Sequence, residues 1–286
     1  MYQDAAYKRK KGSKQVFFEA YRQEAMRDKN TDATYSKYGT IASVVGYDCT
    51  LGEKFVAGAF FAYEYTDFDL DTAGGTCKIN SVTAGLKARY NTGNFQWNLT
   101  GLYGVDDYKS SRTVAMTNLG VWAEADTSGS RYGMATSVAY NLKFSWFEVM
   151  PSAGIQWLNW QVDGFQERNA NEANLRVYDQ SETSLQGKLG IRVARSFKTK
   201  YGHIRPFLHY AYLHEFDTDT RKLSADLFGG RIDIDAPATK SNGYRLDFGL
   251  DWNASKKVRM ELRYTSEYNC AADSNVGIRA GVTYTF

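Results

Sequence analysis

The last eleven residues, Val276-Gly277-Ile278-Arg279-Ala280-Gly281-Val282-Thr283-Tyr284-Thr285-Phe286, decide the fold. Even positions are all apolar (Val, Ile, Ala, Val, Tyr, Phe); odd positions are glycine, threonine or arginine. A period of two is a strand whose two faces meet two different surroundings. Eleven residues is also about the length a β-strand needs to cross a bilayer at a tilt of roughly 45°.

The same alternation recurs upstream. Val258, Met260, Leu262 and Tyr264 alternate with Arg259, Glu261, Arg263 and Thr265. Tyr244 to Trp252 alternate with Arg245, Asp247, Gly249 and Asp251, and Leu185, Leu189, Ile191 and Val193 with Gln186, Lys188, Gly190 and Arg192. Val82 to Tyr90 follow the rule too; in 38–48, 55–66 and 203–215 both faces hold apolar residues. Turn residues divide the chain into about twelve predicted strands: 16–27, 37–48, 54–68, 79–90, 95–108, 129–142, 147–162, 184–196, 203–215, 242–253, 257–267 and 275–286. Short connections (near Gly52, at 91–94, near Lys143, at 198–202 and 254–256) alternate with longer ones (28–36, 69–78, 109–128, 163–183, 216–241 and 268–274). Short turns at one end and long loops at the other define an up-and-down meander of the outer-membrane type.

Composition fits once the period is known. The chain has 286 residues, 43% hydrophobic and 23% charged, with a mean hydropathy of −0.50. A membrane helix needs about 20 mostly apolar residues, and the longest apolar run, Val56 to Ala62, is interrupted by Gly58. That excludes helical spans, not membrane strands, half of whose residues face a polar interior. The 21 Tyr, 16 Phe and 6 Trp argue against disorder. A net charge of +3 gives no reason to expect a nucleic-acid partner.

Alternation does not say which face is out. Full charges mid-strand do: Arg192, Arg245, Asp247, Arg259, Glu261, Arg263 and Arg279 are the candidate pore-lining residues, of both signs, suited to a confined interior where charges pair. No segment is available to fill the core of a soluble twelve-stranded barrel. The fold class is therefore all-β, a transmembrane antiparallel barrel of about 12 strands. Two aromatic girdles are expected: Phe17, Phe18, Phe55, Phe95, Trp97, Trp146, Phe147, Trp252 and Phe286 near the short turns, and Tyr65, Phe68, Tyr103, Tyr108, Trp157, Trp160, Tyr210, Tyr212 and Tyr264 near the long loops. Pro151 and Pro206 fall inside strands, close to short turns, and Pro237 in a long loop.

Chemistry-bearing residues are scarce. His203 and His209 share a strand face but stand about 20 Å apart, so these and His214 read as wall residues, with no metal, cofactor or catalytic set. Asp106-Asp107 with His209 would be the material of a barrel-borne hydrolase, yet no spacing brings base and proton donor within about 3 Å. Cys49, Cys77 and Cys270 read as free thiols.

The terminal Val282, Tyr284 and Phe286 resemble the assembly signal of bacterial outer-membrane proteins. Ser43-Val44-Val45-Gly46-Tyr47-Asp48, a short turn and Val56-Ala57-Gly58-Ala59-Phe60-Phe61-Ala62-Tyr63 are similar to the second and third strands of autotransporter β-domains, and Gly243 to Leu250 to their late strands. The resemblance covers residues from about 15 to the end. It implies a bacterial outer-membrane translocator of type V secretion that carries an N-terminal passenger to the cell surface and anchors it there. The partners it implies are membrane lipid, the barrel-assembly machinery and the chain's own passenger, with the barrel as a monomer. On this reading 1–15 is a basic linker or short pore helix and 16–286 the barrel. Ala5 to Gly12, with Lys8-Arg9-Lys10-Lys11, would be a short plug against Glu261, Asp247 and Asp251, or a solvated tail. The family's longer plug is not evident. Tyr2-Gln3-Asp4 has no apolar core after it, so the start does not read as a signal peptide and suggests an upstream region. The alternatives are a stand-alone porin or adhesin using the loops near 163–183 and 216–241, and a barrel-borne hydrolase.

Overall fold

A computed structural model describes residues 12–27, 36–70, 74–116, 119–218, 222–235, 240–268 and 274–286. The basic run Lys8 to Lys11, most of the expected plug helix, Pro237 and Cys270 lie outside them. Twelve strands form the wall: β1 (Lys14–Arg27), β2 (Ser36–Thr50), β3 (Phe55–Leu70), β4 (Gly75–Thr92), β5 (Phe95–Met116), β6 (Leu119–Tyr140), β7 (Glu148–Val162), β8 (Gln180–Ala194), β9 (Gly202–Glu215), β10 (Asn242–Asn253), β11 (Val258–Tyr268) and β12 (Ser274–Thr285). Each pairs antiparallel with its sequence neighbours, and β12 pairs with β1 through Phe18↔Val282 and Ala20↔Ala280, closing the barrel. Closure removes every free edge, the condition for strands to survive in lipid.

Polarity is inverted relative to a soluble protein. Leu86 is 70% exposed and Leu189 61%, and Ile41, Phe61, Phe248, Leu262 and Ile278 are also open. Asp247 and Asp251 are 1% exposed and Arg192 2%. Arg192, Arg205, His209, Asp247, Asp251 and Arg263 are thus buried on the inner face, while the apolar residues of the same strands point out.

The strands with two apolar faces have a packing reason. Phe17 stands opposite Gly46, Phe60 opposite Gly85 and Phe207 opposite Gly249 on the inner face. A Cβ on any of these glycines would collide with the ring opposite. Each ring covers bare backbone on the neighbouring strand, the device by which an aromatic rescues a glycine in a sheet. Phe17 is therefore inside, 3.7 Å beneath the Lys87 ammonium, which corrects its expected place in a girdle beside Phe18. Adjacent strand residues face opposite ways. Phe68 and Tyr108 likewise share the inner faces of Glu64 and Asp106, and Phe68 stacks on Tyr38.

Each strand proline lies one residue past the end of one ladder while its strand stays paired on the other side, Pro151 with Ile191 and Pro206 with Leu250. The β6–β7 ladder ends at Ala139↔Ser152, one residue before Pro151. Pro206 accepts from the Arg195 N–H at 3.2 Å beyond the end of the β8–β9 ladder. The donors they lack fall where pairing stops.

Two expected loops are strand. Only four residues, 71–74, separate β3 from β4, and β5 and β6 run through 109–128 as a hairpin of 22 residues a side. About 9–11 residues cross a bilayer, so half of this hairpin projects beyond it. Segment 163–179 docks on the projection: Arg112 grips Glu167 with two bonds of 2.7 and 2.6 Å, and Ala123, Ala170 and Ala173 pack with Val114 and Val121. Phe165–Gln166, Arg176–Val177, Lys222–Leu227 and Gly230–Asp235 form a small outer sheet beside it.

Candidate functional site

The candidate site is the charged interior. All seven residues singled out in the sequence lie on strands β8 and β10–β12 and make ion pairs. Asp251 is the hub of the first cluster: it accepts from Arg192 at 2.8 Å and from Arg259 at 3.3 Å, with Arg205 at 4.0 Å. Arg205 also holds Glu148 at 2.5 Å, and Arg263 holds Glu261 at 2.5 Å. Asp247 takes Arg245 at 3.0 Å and the Thr265 hydroxyl at 2.5 Å, with His209 Nδ1 2.7 Å away. The Arg192 guanidinium lies 3.8 Å over the Phe207 ring. Charges this deep persist because each faces an opposite charge or a hydrogen-bonding partner.

A second cluster spans the other half. Arg279 approaches Glu19 at 3.6 Å and lies 5.2 Å over the Tyr21 ring. The Tyr21 hydroxyl donates to Glu64, which also receives Arg131; Arg131 in turn donates to Thr83 at 2.8 Å and lies 3.7 Å from Asp106. Nearer the short turns, Lys87 pairs with Asp48 at 3.0 Å. Arg205, Glu148, Arg131, Glu64, Tyr21 and Lys87 were not singled out in the sequence. The signal that reaches them is strand register: parity places a charge inside, and only register says what it meets.

Between the clusters, the wall of β11, β12 and β1 carries two small grooves that share Arg279, one lined by Glu19, Glu261, Gly281 and Thr283 and the other by Gln23, Glu267 and Gly277. Small residues on the inner face of β12 leave this room.

Asp106 and His209 sit in different clusters: Asp106 belongs to the Arg131 cluster and His209 to Asp247. Among the described residues no group of three His, Cys, Asp or Glu side chains could hold a metal. His214 faces the other way from His209, bonded to Asn242 at 2.9 Å. Cys49 and Cys77 are free thiols.

A closed twelve-stranded wall, apolar outside and ionic within, is an outer-membrane β-barrel of the Gram-negative type. Residues 16–265 match the profile of the autotransporter β-domain, and the chain belongs to that family. The translocator domain of the autotransporter NalP from Neisseria meningitidis has a similar structure, with a TM-score of 0.76 at 16% identity, over 97% of this chain and 90% of that one. The β-domain of the Bordetella autotransporter BrkA gives 0.69 at 19% identity, over 96% and 100%. Serotype-specific antigen 1 of Mannheimia haemolytica is 23% identical over 252 residues; the match covers 86% of this chain and 25% of that protein. The chain thus spans about a quarter of the length of this curated relative.

Proposed function

We propose that this barrel carries a passenger, linked to its N-terminal side, through the bacterial outer membrane and then anchors it at the surface. The observation that carries the reading is the inverted, closed barrel in a chain of the autotransporter β-domain family. Residues 1–15 act as linker to the passenger. Arg192, Arg245, Asp247, Arg259, Glu261, Arg263 and Arg279 line the pore: Arg279 and Arg245, the most open of them, offer a passing chain polar partners in place of water, while Arg192, Asp247 and Arg263, buried in ion pairs, brace the lining. The passenger's backbone groups need such partners, because an unpaired buried polar group is costly. The work is positional, with no bond of the passenger made or broken. Val282, Tyr284 and Phe286, on the outer face at the end of the last strand, serve as the handle for the barrel-assembly machinery, and one copy suffices as the working unit.

The test is a reporter fused ahead of residue 1 behind a signal peptide. Surface display of the reporter, read by protease access on intact cells, is expected. A barrel that assembles while its reporter stays in the periplasm overturns the reading.

A further inference from the structure

We infer that the short-turn rim from β6 to β11 is a binding surface for the phosphodiester headgroups of anionic phospholipids. Three successive short turns occupy this half: 141–147, 195–201 and 254–257. They carry Lys143, Arg195, Lys198, Lys200, Lys256 and Lys257, all exposed, and contain no Asp or Glu. The turns of the other half differ. Segment 51–54 holds Glu53 and Lys54, which cancel, and the β4–β5 turn, Gly93-Asn94, holds no charge. Among the short turns, positive charge therefore gathers on one arc of the rim; outside that arc the exposed Lys14 opens β1.

Aromatic side chains accompany it. Phe144 and Phe147 stack with centroids 4.7 Å apart, Trp146 meets Phe147 edge-on at 4.7 Å, and Phe144, Trp146, Phe197 and Tyr201 are all exposed. Trp252 Nε1 donates to the Tyr201 carbonyl at 2.9 Å, fixing that turn against the wall. The cations stand on these rings. Arg195 lies 5.6 Å from the Trp146 centroid and 4.9 Å from that of Phe197, Lys200 lies 4.9 Å from Tyr201, and Lys257 5.9 Å from Tyr284.

Rings of this kind settle at the boundary between acyl chains and headgroups. A cation held over one is placed at headgroup height, its stem on apolar surface and its charge toward water. Short turns mark the periplasmic side of such a barrel, so the rim meets the inner leaflet. Lipid is favoured over a free anion because the rings belong in the interface, and over an acidic protein because every cation named on a ring is tied to the bilayer edge.

The experiment uses the full chain refolded into phosphatidylcholine vesicles, with spin-labelled phosphatidylglycerol or phosphatidylcholine as probe. Each near-surface cation contributes about 1 kcal/mol, so phosphatidylglycerol is expected to associate about fivefold more strongly at low salt. The preference should fall toward unity in about 0.5 M salt, where screening is nearly complete beyond a few ångströms. It should drop sharply in the variant Lys198→Gln/Lys200→Gln/Lys256→Gln/Lys257→Gln, which keeps Lys143 and Arg195, and stay unchanged in Lys78→Gln/Lys109→Gln, altered near the other end. No preference in the parent, or an equal loss in both variants, overturns the proposal. If the fourfold variant fails to fold, quenching by brominated lipids, read as parent minus Trp146→Phe, decides. Stronger quenching by the anionic lipid supports the site, and equal quenching sinks it. No passenger is present, so the outcome is independent of the secretion reading.

Discussion

Glu64 on β3 receives the Arg131 guanidinium of β6 on one side and the Tyr21 hydroxyl of β1 on the other. Strands β3 and β6 lie three apart, roughly 14 Å along the wall, so the pair takes a chord through the interior. Glu64→Gln should weaken this strut and widen the passage. Planar-bilayer recordings are expected to show a higher single-channel conductance than the parent. Unfolding in denaturant should show a loss of about 1–2 kcal/mol, less than for a dry buried pair because both side chains stay partly exposed. Unchanged conductance would mean the chord does not limit the bore.

Asp251 answers three arginines, and Arg192 is only one of them. Asp251→Asn leaves buried guanidinium groups short of their counter-charge and should cost about 3–5 kcal/mol. Arg192→Met leaves Asp251 with Arg205 and Arg259 and should cost less, about 1–3 kcal/mol. Denaturant unfolding in lipid vesicles, followed by tryptophan fluorescence, gives the order; equal losses would show that Asp251 is not the hub.

Leu262 is open on the outer face, between Leu250 and Ala280 on the flanking strands. Leu262→Arg puts a charge into hydrocarbon at a cost of about 2–4 kcal/mol. Thr283→Arg, on the inner face beside one of the grooves, should stay within about 1 kcal/mol, as lumen positions tune selectivity rather than stability. The reverse order, measured the same way, would invert the sidedness of the wall.

A Cβ at Gly249 would stand 2.7 Å from Phe207 Cζ and closer still to the Leu262 carbonyl oxygen. Gly249→Ala should displace the ring that also lies under Arg192, at a cost of about 1–3 kcal/mol typical of overpacking. The paired change Phe207→Leu/Gly249→Ala should cost less than the two single changes added together, since they share one clash. Strict additivity would deny the ring-on-glycine contact.

Phe286 donates its N–H to the Lys14 carbonyl at 3.0 Å, while its ring meets Tyr284 edge-on at 5.1 Å, exposed on the outer face. Phe286→Ala keeps the backbone bond, so stability refolded in detergent should stay within about 0.5 kcal/mol. In cells the same change should lower the amount of heat-modifiable barrel in the outer membrane. Equal amounts of parent and variant there would remove the recognition role.

Much of this wall is legible in the sequence because period and sidedness coincide on β8 and β10–β12, where each residue type reports its own face. The reading falters where an inner apolar residue serves a neighbour. Phe17 looks like a girdle residue until Gly46 is known to lie opposite. It falters also at 109–128, where Lys109-Ser110-Ser111-Arg112 reads as loop although both flanks stay in one hairpin. Those residues stand clear of lipid, so nothing forces the apolar-out pattern that marks the strands below. Charges were found by parity, but their grouping into two clusters follows from shear and register around the circle, which no single segment contains. Arg131 and Glu64, 67 residues apart, carry no sign of each other.

The ring is closed by its extremes: Gln15 donates to the Thr285 hydroxyl at 2.9 Å across 270 residues of chain. β1 is therefore the strand that waits longest for its second neighbour. Until β12 docks there, β1 and β11 both present raw edges that invite foreign strands. The order of assembly is thus written into connectivity: a sheet that lacks β12 stays open and adhesive in place of closing into a narrower barrel.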